Sequence, residues 1–184
     1  KIFDQKLEIE NEDANAESQA ELFLIKAEIL KSESKDEEAM QYYELAYNTT
    51  ESITSILAIL ELNLGSEEYL QAIDWGNKAM KNRSKIDRAY FSLLLWNIGL
   101  AYRGAGTQYY DNSVDIITKI NNGDDVMLAS KKEAINNLKI AKDYFSESRF
   151  YFLDASVEGM EDAEERATQM MDIIEQINEI YIPF

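Results

Sequence analysis

Along "AELFLIKAEIL" apolar side chains return every three or four residues, with Leu22, Ile25 and Ile29 on one line and Phe23, Ala27 and Leu30 on the next. This spacing predicts a helix over about 14–32 with a broad apolar face. The polar run "KSESKDEE" then breaks the pattern, and Ser34 or Asp36 is placed to cap a second helix over about 37–48. Its first turn carries Glu37 and Glu38, where the positive end of the helix dipole favours carboxylates. The cycle recurs. Ser52 or Thr54 opens "ILAILELNL", Gly65 closes it, Ser66 caps "EEYLQAIDWGNKAMKN", and "RSKID" separates that helix from "RAYFSLLLWNIGLAYR". Loops this short force successive helices to run antiparallel.

The second helix of each predicted pair carries a shared face. Ala39, Tyr43 and Ala46, then Ala72, Gly76 and Ala79, then Ala134, Leu138 and Ala141 all stand at offsets of four and seven. A small, a larger and another small residue on one helical face let a neighbouring backbone approach. Gly76 replaces the larger residue and leaves room for a bulky neighbour such as Trp75 or Trp96. A single proline, Pro183, and only seven glycines in 184 residues leave few breaks for so long a chain, which completes an all-α prediction.

The stretch "LWNIGLAYRGAG" sharpens the repeat. Leu95, Ile98, Gly99, Tyr102 and Gly106 give a bulky residue, a Leu-Gly-like pair, an aromatic and a glycine in the turn. The chain here resembles the tetratricopeptide repeat family. The same positions read Phe23, Lys26, Ala27, Leu30 and Ser34 in the first repeat, and Ile56, Ile59, Leu60, Asn63 and Glu67 in the second. The resemblance covers about residues 20–147. It implies one domain, a right-handed solenoid of about four antiparallel helix pairs: repeats at about 20–52, 53–87 and 88–147, then a degenerate C-terminal pair over 148–184.

The third repeat is interrupted. An uninterrupted unit would place the next alanine at Asp111, but it appears at Ala134, so about 23 residues, 107–129, are inserted between its two helices. On this reading Gly106 is the exit from the helix. Tyr110, Val114, Ile117 and Ile120 can share a helical face, and "NNGD" marks a turn before a helix from about Asp125 to Phe145. The insertion either buries its own apolar edge or acts as a lid.

Candidate chemistry is sparse. With no histidine and no cysteine the chain lacks imidazole acid/base groups, thiol nucleophiles and the usual zinc ligands, and the sequence points to no enzyme, no cofactor and no metal. Neither GxGxxG nor GxxxxGK[ST] occurs, so the glycines of "LWNIGLAYRGAG" are not a phosphate loop. Asn121, Asn122, Asp124 and Asp125 lack the alternating spacing and terminal glutamate of a calcium loop. A net charge of −17 repels phosphates and anionic headgroups, which argues against nucleic acid as a partner. No apolar run approaches the roughly 18 residues that span a bilayer. Because the first residue is Lys1, a removed upstream segment is expected, whether a signal peptide, a lipidated cysteine, a tag or a larger region, and a periplasmic or membrane-tethered place in a bacterial cell is favoured over a cytoplasmic one.

If the resemblance holds, the first helices of the pairs form a concave wall. Its outward positions are Leu24, Glu28 and Lys31, then Leu57, Glu61 and Leu64, then Trp96, Leu100 and Arg103, with Asn97 beside them. Apolar anchors mixed with both charge signs suit a groove for a partner segment. The expected function is therefore a non-catalytic interaction scaffold, with Trp96 as apolar anchor and Arg103, Asn97, Glu61 and Glu28 as polar readers of a protein or peptide with a basic or apolar face. The alternative is a small-molecule-binding accessory protein, such as a periplasmic transporter component, whose pocket the insertion closes around residues 93–103.

Overall fold

The computed structural model describes residues 16–180, which form seven α-helices and no strand. They are α1 (Ala16–Ser32), α2 (Asp36–Thr50), α3 (Ile53–Gly65), α4 (Tyr69–Met80), α5 (Arg88–Asn121), α6 (Leu128–Val157) and α7 (Ala163–Glu179), with a single 3-10 turn at Arg83–Lys85. Each helix packs on the next in sequence, and α3 also packs on α5. This is the antiparallel arrangement that the short connections require.

The three small-residue faces are where the helices meet. All nine residues from Ala39 to Ala141 named above are buried, and the alanines at 39, 46, 72, 134 and 141 have no exposed surface. Three apolar clusters follow one another along the chain. The first joins Ala27 and Leu30 of α1 to Tyr43 of α2 and Ile59 of α3. The second joins Ile56 and Leu60 of α3 to Ile73, Leu94, Leu95 and Ile98, and reaches Tyr151 of α6. The third joins Leu138, Phe145 and Phe152 of α6 to Met170, Ile174 and Ile177, the three- and four-spaced stripe of α7.

The interruption at 107–129 is resolved differently from the expectation. Helix α5 runs unbroken through Gly106 to Asn121, so Gly106 is not an exit but a buried residue in mid-helix. A side chain there would stand 2.9 Å from the ring of Phe145 on α6, and one at Gly99 would stand 2.8 Å from the ring of Phe152. Both glycines are missing side chains into which α6 presses an aromatic ring. The added residues keep the helical period, and Tyr109, Tyr110, Ile116, Ile117 and Ile120 continue packing onto the third cluster. They lengthen both α5 and α6 into one long hairpin instead of forming a separate lid.

Two further boundaries move for the same reason. "RFYFLDASV" is the end of α6, not the start of a C-terminal pair, so α7 follows alone among the described residues. Helix α6 opens at Leu128, with Asp124 and Asp125 in the preceding turn, where Gly123 takes a φ of 80° that a side chain rarely adopts. The caps shift slightly as well: Lys35 precedes α2, Glu68 precedes α4, and Ser66 closes α3 by donating its backbone N–H to Leu62 O at 3.0 Å. The residue that fills the space at Gly76 is Ile98, not a tryptophan, while Trp75 packs edge-on to Tyr47 under Lys78.

Candidate functional site

Helices α1, α3 and α5 share one side of the molecule, and shallow depressions lie along the seam between α3 and α5. The first, about 430 Å³, is lined by Glu28 and Lys31 of α1, Thr54, Leu57, Ala58 and Glu61 of α3, and Leu93 and Asn97 of α5. The second, about 410 Å³, lies further along the same helices, where Leu64 and Tyr69 face Leu100, Arg103, Thr107 and Asp111. Leu57, Glu61 and Leu64 recur at offsets of four and seven on α3, as do Leu93, Asn97 and Leu100 on α5, so each helix offers one continuous line to the seam.

The charged groups of the first depression are already engaged. Lys31 Nζ lies 2.7 Å from Glu61 Oε2, an exposed ion pair that ties α1 to α3. Such pairs contribute little to stability, about 0.2–1 kcal/mol, so Glu61 is free to exchange partners at low cost. Tyr43 of α2 donates its hydroxyl to Glu28 Oε1 at 2.6 Å. Burial raises the phenol's pKa, and the hydrogen bond to Glu28 raises it further, so Tyr43 stays a donor and holds Glu28 in place.

In the second depression Arg103 is half-buried, and among the described residues no carboxylate lies within 4 Å of it to form an ion pair, although Asp111 and Glu67 line the same space. Tyr69 presses its ring against Gly104, where α5 has no side chain, and so forms the end wall. Gln108 Nε2 donates to Glu67 O at 3.5 Å across the same end.

Eight of the ten expected wall residues therefore line this seam: Glu28, Lys31, Leu57, Glu61 and Asn97 in the first depression, Leu64, Leu100 and Arg103 in the second. Two do not. Leu24 turns into the cluster between α1 and α2, and Trp96 packs its indole on Phe152 of α6, with ring centroids 5.2 Å apart. Trp96 sits about 100° round α5 from Asn97, enough to carry it from the seam to the α6 contact. Leu93, 39% exposed, stands in the seam in its place. Spacing alone does not single out Leu93, which lies in a dense apolar run, or Thr107 and Gln108, which lie beyond the helix end expected at Gly106.

No family model matches the chain, and no curated protein or solved structure matches it either.

Proposed function

We propose that the protein is a non-catalytic interaction scaffold of tetratricopeptide-like, solenoidal build, which binds a partner segment along the seam between α3 and α5. The observation that carries this reading is that Glu28, Leu57, Glu61 and Asn97, spread over about seventy residues of sequence, line a single open depression across three helices. Leu57, Leu93 and Leu100 would take apolar side chains of the segment, and Asn97 can both donate to and accept from an extended backbone. A basic side chain of the partner would displace Lys31 from Glu61, exchanging one exposed ion pair for another. Rigid helices already present the seam, so the scaffold has little to order on binding.

The continuation of α5 past Gly106 favours this reading over a closed small-molecule pocket, because residues 107–121 extend the wall rather than fold back over residues 93–103. The test is a photo-reactive residue at Leu93 with a control at Lys132 on α6, introduced in the native cell, together with the double variant Leu57→Arg, Glu61→Lys. Cross-linking of one partner through position 93, lost in the double variant and absent from position 132, supports the groove. Equal partner recovery from wild type and double variant sinks it.

A further inference from the structure

Away from the seam, α5 and α6 carry an aromatic ladder that the groove does not use. Tyr102 and Tyr109 lie seven residues apart on α5, and Tyr144 and Tyr151 lie seven apart on α6, so each pair stands about two turns along one face of its helix. The rings interleave. Tyr109 stacks on Tyr144 at 5.7 Å, Tyr144 meets Tyr102 at 6.0 Å, and Tyr102 stacks on Tyr151 at 5.4 Å with the planes 14° apart. Tyr102 and Leu100 point about 200° apart round α5, which puts the ladder and the groove on different sides of that helix.

Beside the ladder is an open depression of about 420 Å³ lined by Tyr102, Ile140, Asp143, Tyr144, Ser146 and Glu147. After burial, the carboxylates that raise the pKa of these phenols are Glu147 and Asp74 at Tyr102, and Glu147 and Asp154 at Tyr151, while a hydrogen bond with Asn77 lowers that of Tyr102. None of Asp74, Asp143, Glu147 or Asp154 has an ion-pair partner among the described residues, although Glu33, Glu51, Glu61, Asp115 and Glu158 each do. Burial, the leading cause, raises the pKa of Tyr102, Tyr144 and Tyr151, so the rings stay neutral phenols. Neutral tyrosine faces next to unpaired carboxylates attract an organic cation, and a ring face, such as that of Tyr144 tilted 45° from Tyr102, suits a planar guanidinium better than a round ammonium.

We propose that this ladder is a second binding site, which takes an arginine side chain of a basic peptide segment. The aliphatic stem lies on Ile140, the guanidinium plane lies against Tyr144 with Tyr102 beside it, and its N–H groups donate to Asp143 and Glu147. The site is built from residues that the groove does not contain, and it stands or falls separately.

The test titrates the purified full chain with Ac-Gly-Arg-Gly-Arg-Gly-NH2, with the same peptide carrying citrulline for arginine, and with free argininamide, reading affinity by calorimetry and position by the ring resonances of Tyr102 and Tyr144. Citrulline keeps the shape and removes the charge. Expected are binding at least tenfold weaker for the citrulline peptide, at least tenfold weaker for Asp143→Asn with Glu147→Gln, and within twofold of wild type for Glu175→Gln, an exposed carboxylate outside both the ladder and the groove. Tyr144→Leu, checked for folding by circular dichroism, should weaken binding about threefold or more. The amide variant changes only exposed side chains, so its result stands even if Tyr144→Leu unfolds. Equal binding of the citrulline peptide, unmoved ring resonances or an indifferent amide variant overturns the site. Argininamide binding as tightly as the peptide overturns the peptide as occupant, and loss of binding through Glu61→Gln alone moves the cation to the groove.

Discussion

Ser148 of α6 donates its hydroxyl to the backbone carbonyl of Gly99 on α5 at 2.8 Å, in full burial, one turn before Phe152 covers the same glycine with its ring. Hydrogen bond and ring contact together fix how closely the two long helices approach. Further along the hairpin Ser113 repeats the device in the other direction, donating to Ala134 O at 3.2 Å, while Phe145 sits on Gly106.

Substitutions at the glycines should therefore have opposite signs according to what each one faces. In a helix, alanine is favoured over glycine by about 1 kcal/mol. At Gly65, the last residue of α3, nothing lies within 4 Å of a new side chain, and Gly65→Ala should stabilise by about 0.5 kcal/mol. At Gly99 the new methyl would meet Phe152 at 2.8 Å, and Gly99→Ala should destabilise by about 1–3 kcal/mol despite its better propensity. Ser148→Ala should cost about 1 kcal/mol. Urea denaturation of the three variants checks the set, and a stabilised Gly99→Ala would refute the packing described.

Continuity of α5 predicts a pattern of amide exchange. The backbone N–H groups of residues 102–110 should be protected as well as those of residues 94–100, since all of them lie inside one helix under α6. Measured by hydrogen–deuterium exchange, rapid exchange confined to 104–108 would restore a break at Gly106.

High pH should weaken the fold through its tyrosines. An unfolded tyrosine loses its proton near pH 10. In the folded chain burial first, then Tyr102 and the carboxylates of Glu147 and Asp154, push Tyr151 up to about 12, and burial also raises Tyr47, Tyr102 and Tyr144. The native state then holds more protons than the unfolded state between these values, so the contribution is complete below about pH 10 and is lost as pH rises through about 12. The urea midpoint should fall steadily from pH 10 to 11.5, and less steeply for Tyr151→Phe, which removes the titrating group but keeps the ring. Parallel curves for the two proteins would exclude Tyr151 as a source.

What the sequence determined is what a helix determines locally. Period fixes which side of each helix is apolar, so Ala39, Tyr43 and Ala46 and their counterparts were legible as buried faces, and short polar connections made the neighbours antiparallel. The absence of histidine and cysteine was equally plain. Eight residues of the wall followed from position on the first helices alone.

Only the tertiary structure decided what depends on a partner distant in sequence. A glycine in an apolar run reads equally well as a turn or as a hole for a ring, and Phe145, about forty residues on, selects the second at Gly106. That choice lets α5 continue, turns an expected lid into the far half of a hairpin, and brings Thr107 and Asp111 onto the wall. Phe152 likewise draws Trp96 away from the seam and leaves Leu93 there. The tyrosine ladder has the same origin: a spacing of seven on α5 and on α6 is visible in the sequence, but interleaving needs the register that Ser148 and Gly99 set between the two helices.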